Sequence, residues 1–240
     1  MQLNTLISHH NLAIVTYDSS GRRLPLTTSL VARWIGKCAH AYQQLLFPPA
    51  DSVEIQMPAH WRSIVWTLGA WYAGLSTGTR PQSPSPSAIV SDQLETLEAS
   101  EAAVKIAQSL EHLAIRWPGN LPWEVEDGAQ LANEQPDAPP SVTQIAPEQL
   151  FSVAQLNDYR RYIELVEKLS PQTLLVIKAG LAPTSANQLS LLVAALWRVF
   201  SAYTQLELPT VMLVPPEVPA ENEARWIQQE ALDRQVHHLP

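Results

Sequence analysis

Residues 52–75 read SVEIQMPAHWRSIVWTLGAWYAGL. The opening SVEIQM, with β-branched Val53 and Ile55 on alternate positions, predicts a short strand. Pro58 then stands in the first turn of a helix, where a missing backbone N–H does no harm. Trp61, Ile64, Val65, Leu68, Trp71 and Tyr72 recur at helical spacing along one apolar face, and Gly74 fits the left-handed position that ends a helix. A short apolar strand followed at once by a helix is the repeating unit of a parallel sheet covered on both faces.

The flanking sequence repeats this alternation. LAIVTYD (12–18) reads as a strand, Ser19-Ser20-Gly21 as a turn and residues 22–26 as the returning strand of a hairpin. Thr27 or Thr28 can cap a helix carrying Leu30, Val31, Trp34, Ile35, Cys38, Tyr42 and Leu45, which Pro48 and Pro49 stop. Residues 88–91 form a strand, and residues 103–108 (AVKIAQ) read as either strand or helix. Residues 117–149 are proline-rich and acidic, which suits an ordered but irregular connection and also permits a disordered linker. Leu156, Tyr159, Ile163 and Val166 mark a further helix, with Arg160 and Glu164 paired four residues apart. Strands at 174–178 and 211–214 bracket a long helix that Thr184 or Ser185 would cap, and residues 221–232 close with an amphipathic helix. The expected fold is α/β: a mostly parallel sheet with helices on both faces, preceded by a β-hairpin. It forms a single domain over 1–240, with a first half at 12–116, the connection at 117–149 and a second half at 150–240.

Composition narrows the function. The chain has 240 residues, 46% of them hydrophobic and 16% charged, with a formal net charge of −8. An acidic chain without a basic cluster is poorly suited to nucleic acid or to anionic membranes, because both need grouped lysine and arginine. No apolar run approaches the ~20 residues of a membrane span, and the first residues lack the pattern of a secretory signal. One cysteine, Cys38, leaves no internal disulfide and no cysteine-based zinc cluster. These features together predict a cytoplasmic protein. Eight glycines against twenty prolines leave little material for a glycine-rich phosphate cradle.

Several residues carry chemistry that bears on function. His60 opens a helix just after a strand, where α/β folds bind ligands, but a catalytic role needs a partner acid that the sequence does not place. Trp66 lies off the apolar face of its helix and must bury against a neighbour or a partner, which makes it the best indication of an interface. Arg80 belongs to STGTRP (76–81), a turn that resembles a phosphate loop only superficially. Cys38 sits among apolar neighbours and reads as a buried small hydrophobe. Glu124, Glu126 and Asp127 read as a solvated acidic loop, and the histidine pairs 9–10 and 237–238 lie near the chain ends. No catalytic residue and no metal site is assigned.

The phrases TYDSSGRRLPLT, WIGKCA, MPAHW and LGAWYAGL carry a resemblance, joined by LPWEVEDGAQLANEQPDAPP at 121–140. They resemble a family of short, uncharacterised proteins, mainly of high-GC Gram-positive bacteria. That family is itself similar to the truncated N-terminal part of AMP-binding, acyl-CoA synthetase-like, adenylate-forming enzymes. The resemblance favours a strand at 103–108. It also implies a Ser/Thr/Gly-rich phosphate loop ending in lysine near 140–150, where this sequence reads PSVTQIAPEQL, without glycine or lysine. The family's adenine motif and lysine-bearing lid have no counterpart here, and FSAYTQ (200–205) only faintly echoes the former. The expectation is a non-catalytic or degenerate relative, a binding or interaction protein meeting a protein partner or a second copy of itself, with no cofactor. The alternative is a partial adenylate-forming enzyme that binds ATP or AMP once a partner chain completes it.

Overall fold

The structure is a computed structural model, which describes residues 3–46, 52–77, 85–141, 150–180, 182–200 and 208–239. A short helix α1 (Leu3–Leu6) precedes the hairpin of β1 (Leu12–Tyr17) and β2 (Arg23–Thr27). Then follow α2 (Thr28–Leu45), β3 (Ser52–Gln56), α3 (Trp61–Tyr72), β4 (Ser76–Thr77), β5 (Ala88–Ser91), α4 (Leu94–Glu98) and β6 (Val104–Ala107). The second part of the chain holds β7 (Val125–Asp127), α5 (Gly128–Asn133), α6 (Val153–Val166), β8 (Thr173–Lys178) and α7 (Pro183–Phe200). It closes with β9 (Thr210–Val214), α8 (Ala220–Ala231) and β10 (Gln235–Leu239).

The mostly parallel α/β expectation holds, with the strands divided between two five-stranded sheets. One sheet runs β10-β8-β9-β1-β2 and is parallel except for the antiparallel edge β1–β2; the other runs β4-β3-β5-β6-β7 and is parallel throughout. The hairpin is therefore an integral edge of the first sheet, which draws strands from both ends of the sequence.

Strand periodicity sorts side chains between layers. Ile14, Leu175, Ile177, Val211 and Leu213 enter one core with Val53, Val90 and Ile106 of the other sheet and with α2, α3 and α7. Val15, Tyr17, Leu174, Val176, Met212 and Val214 face the opposite way, under Trp226 of α8. Ile89, Ala107 and Val125 pack under Leu97 of α4. The layers thus alternate helix, sheet, helix, sheet, helix. Every residue of α3 from Trp61 to Trp71 is buried, since this helix sits in the middle layer. A helix enclosed on all sides is expected to be apolar all round, not on one stripe.

Local chemistry sets the boundaries. Thr27 is the cap of α2, its Oγ1 accepting the Leu30 N–H at 3.2 Å. Gly21 and Gly74 take φ of +83° and +88°, conformations that glycine adopts without strain. Three local expectations are corrected. Pro183 itself begins α7, so neither Thr184 nor Ser185 precedes the helix as a cap; proline suits the first helical position because its N–H would be unpaired there anyway. On α6 the ion pair is Arg161–Asp158 at 3.5 Å, not Arg160 with Glu164. The 117–141 part of the proline-rich segment is ordered and, outside residues 125–133, irregular as expected; the correction is the strand and helix inside it. It contains β7 and α5, and it docks on α2 and α3 through Lys37–Asp137 at 3.1 Å and the Tyr72 hydroxyl to the Pro140 carbonyl at 3.3 Å.

Candidate functional site

Parallel sheets bind ligands beyond the carboxyl ends of their strands. Here those ends from both sheets face a common cleft of about 220 Å³. Thr16 and Tyr17 end β1, Ala179 follows β8, and Leu213 and Val214 end β9, with Pro215 and Pro216 just beyond. Pro58, Ala59, His60 and Trp61 come from the β3–α3 turn, and Leu110 and His112 from the segment after β6. One backbone hydrogen bond, Ala59 N–H to the Gly180 carbonyl at 2.9 Å, ties the two sets of loops together beside the cleft.

His60 lines this cleft as the cap of α3. Its Nδ1 accepts the Arg62 N–H at 3.2 Å, and its backbone N–H donates to Ser63 Oγ at 3.1 Å. An Nδ1 that accepts must be unprotonated, so the ring proton sits on Nε2. Burial first, and the nearby Arg62 charge second, lower the His60 pKa to about 3. The ring is therefore neutral at physiological pH. Among the described residues, Nε2 has no hydrogen-bond partner, and it is not among the sealed, unpaired atoms of the interior.

Beside it, Arg62 is 4% exposed and lies between two tryptophans, its guanidinium 4.0 Å from the Trp61 ring centroid and 4.4 Å from that of Trp34. It donates to the Ala114 carbonyl at 2.8 Å, while its Nε is buried without a partner. Burial draws its pKa down to about 10.

The acidic side of the cleft is Asp18. Its Oδ1 accepts from Ser20 N–H, Ser20 Oγ and Arg22 N–H, and its Oδ2 from Arg22 Nε, at 2.6–2.9 Å. Although burial opposes ionisation, these bonds bring the carboxyl down to about 2. Tyr17 stacks on Trp226 at 4.6 Å and donates its hydroxyl to Glu230 at 2.7 Å. Glu230, 6% exposed, also accepts from Arg23 Nε and, at 3.0 Å, from Arg23 Nη2. Burial and the Glu230 bond push the Tyr17 phenol up to about 12. Among the described lining residues there is no lysine or arginine.

Of the described residues singled out in the sequence, His60 reaches the cleft, and so does Trp61 from the apolar face of the same helix. Trp66 is corrected as an interface residue: it is 1% exposed, its Nε1–H bonds Gln108 Oε1 at 2.7 Å, and it packs edge-on against Tyr42 at 5.3 Å. The side of α3 that looks unpartnered in the sequence is the side turned toward α2 and the end of β6. Arg80 lies outside the described residues, as do most of STGTRP and of FSAYTQ and the 142–149 part of the expected phosphate-loop region. Cys38 is fully buried, and burial pushes its thiol up. Asp127 caps α5, accepting from Ala129 and Gln130 N–H, while its other oxygen holds Trp117 N–H. His237 and His238 lie on the exposed edge strand β10. Asp18, Tyr17 and His112 were missed, because only the pairing of β1 with β9 and the course of the chain after β6 bring them to the cleft that His60 lines. The signal available was position: each follows or ends an apolar strand.

Comparison with known proteins places this geometry in context. No protein-family model matches the chain. A TIGR03089 family protein of Mycobacterium tuberculosis is 33% identical over 63 residues, 25% of this chain and 26% of that protein. An acetoacetyl-CoA synthetase from Streptomyces lividans superposes with a TM-score of 0.68 at 15% identity, covering 98% of this chain and 42% of that one. The Brucella canis acyl-CoA synthetase gives 0.64 at 15% identity, covering 96% and 45%. An amide bond synthetase from Marinactinospora thermotolerans gives 0.57 at 14% identity, covering 95% and 47%. The fold therefore resembles the N-terminal part of adenylate-forming enzymes, and the chain spans less than half the length of these similar structures. Among the described residues, no helix is long and apolar enough to cross a membrane.

Proposed function

We propose that this chain is a small-molecule-binding protein built on the N-terminal part of an adenylate-forming fold, and that it does not adenylate. A single observation carries the reading. The cleft where both sheets present their strand ends has no lysine or arginine among its described lining residues, and it has the ionised Asp18 instead. Transfer to a carboxylate from ATP requires donors and cations that neutralise a polyphosphate as charge develops. Asp18, already paired with Arg22 at 2.6 Å, supplies none of these, and residues 140–150 contribute no glycine and no lysine. The protein acts in the cytoplasm and needs no cofactor. Incubation of the full chain with ATP, Mg²⁺ and a panel of carboxylates is expected to release no pyrophosphate; sustained release proportional to protein concentration overturns the proposal.

A second reading has its own support. Leu113, Ile115 and Trp123 are 62%, 69% and 96% exposed along the segment after β6. Apolar side chains displayed in this way suit a protein partner, and a partner chain would complete an ATP- or AMP-binding enzyme. This version expects the melting temperature to rise with ATP or AMP in the presence of that partner. The absence of any shift removes it.

A further inference from the structure

The lining of the cleft also limits what it accepts. Its walls are mainly apolar, from Leu24, Pro58, Trp61, Leu110, Leu213 and Pro215. An anion is disfavoured, because no lysine or arginine is among the described lining residues to pair with it, and the nearby Arg22 guanidinium is already taken by Asp18 at 2.6 Å. A cation gains little in return, since both Asp18 oxygens are already engaged by Ser20 and Arg22. What remains is one oriented donor. The helix cap fixes the His60 ring by its Nδ1, so the ring cannot turn its proton inward, and Nε2–H is the atom left for a ligand. An oriented donor beside an apolar wall selects for a matching acceptor, because a ligand without one would strand the N–H on desolvation.

We infer that the cleft takes an uncharged, largely apolar small molecule bearing a carbonyl group, whose oxygen accepts the Nε2–H of His60. This assignment rests on reading the cleft as a binding site. The ligand is thus chemically distinct from the charged reactants of an adenylation. His112 also lines this space, on the segment that Arg62 holds through the Ala114 carbonyl.

Three probes of similar size separate the possibilities: benzamide, benzoate and benzylamine, titrated into the full chain at pH 7.5. The His60 ring nitrogens are followed by NMR and Trp61 by fluorescence. Benzamide is expected to saturate and to shift His60 Nε2, with benzoate and benzylamine at least about tenfold weaker. His60→Ser keeps a hydroxyl able to cap α3 and removes the donor; benzamide is expected to weaken about tenfold in this variant. Benzoate or benzylamine binding as tightly as benzamide overturns the ligand class while leaving the cleft a binding site. So does benzamide binding that is unaffected by His60→Ser in a variant shown by circular dichroism to be folded. If none of the three perturbs His60 or Trp61 up to solubility, the cleft is not a small-molecule site and both readings fall together. The wild-type probe series stands even if the variant does not fold.

Discussion

Replacing Gly69 with alanine tests the central helix layer. A Cβ built at Gly69 falls 2.7 Å from Cys38 Cβ and 3.2 Å from both Ala39 N and the Ile35 carbonyl oxygen. The obstacles are backbone atoms and the first side-chain carbon of α2, so no flexible side chain can swing aside. Helices α2 and α3 must separate or bend, and overpacking against atoms this rigid costs about 2–3 kcal/mol, the upper part of the usual range. Alanine returns about 1 kcal/mol through its better helix propensity. The net loss is then about 1–2 kcal/mol. With a urea dependence of about 3 kcal/mol per molar, the midpoint falls by roughly 0.3–0.7 M. Urea unfolding followed together by tryptophan fluorescence and far-UV circular dichroism measures it. Cys38→Gly removes the opposing Cβ, so the double variant is expected to lose less than the sum of the two single losses, with a coupling of about 1 kcal/mol. A midpoint for Gly69→Ala equal to or above wild type refutes the close approach, as does strict additivity with Cys38→Gly.

Glu230→Gln should cost about 2 kcal/mol, the low side for a buried ion pair because Arg23 is 36% exposed; thermal or urea unfolding at pH 7 reads it. Burial raises the Glu230 pKa, but the Arg23 and Tyr17 bonds outweigh that and leave it below the usual glutamate value. The stability it supplies is thus present above about pH 4.3 and lost as pH falls through the lowered folded value, and Glu230→Gln flattens that acid limb. His60 titrates near pH 3 in the folded chain, so its NMR resonances are expected to stay at neutral-ring positions from pH 8 down to about pH 4. A folded pKa below the unfolded ~6.5 means that its contribution is complete above that pH and lost progressively toward pH 3. A His60 midpoint near 6.5 counts against the buried cap. Trp66→Phe strands Gln108 Oε1 and opens a void, for an expected loss of about 2–4 kcal/mol in urea unfolding.

The alternation of strands and helices was legible because each short apolar run carries its own punctuation. Residues 88–91 match β5 to the residue, Thr27 proves to be the cap, and Gly74 closes α3 where its backbone demands a positive φ. The edge strand β10 went unread because QVHHL is polar and exposed; its pairing with β8 supplies the order that its composition does not. The β7–α5 unit was hidden among prolines for a similar reason, since Asp127 organises it through three backbone N–H groups rather than through an apolar pattern. Trp66 shows the limit of helical periodicity. Spacing identifies the faces of a helix but cannot tell how many of them the fold will cover. Likewise His60 was visible as a strand-end residue, whereas its companions in the cleft come from segments far along the chain.

The Ala59–Gly180 hydrogen bond has a consequence for how such a scaffold can diverge. Both partners are main-chain atoms, so the seam between the sheets does not depend on the side chains around it. Pro58, Leu213 or Pro215 can be exchanged to resize the chamber while the joint that frames it keeps its span. Gly180 is the exception, because a Cβ there would lie 2.2 Å from Ser185 Oγ. Selection can therefore retune recognition at the walls freely, provided that this one position stays bare.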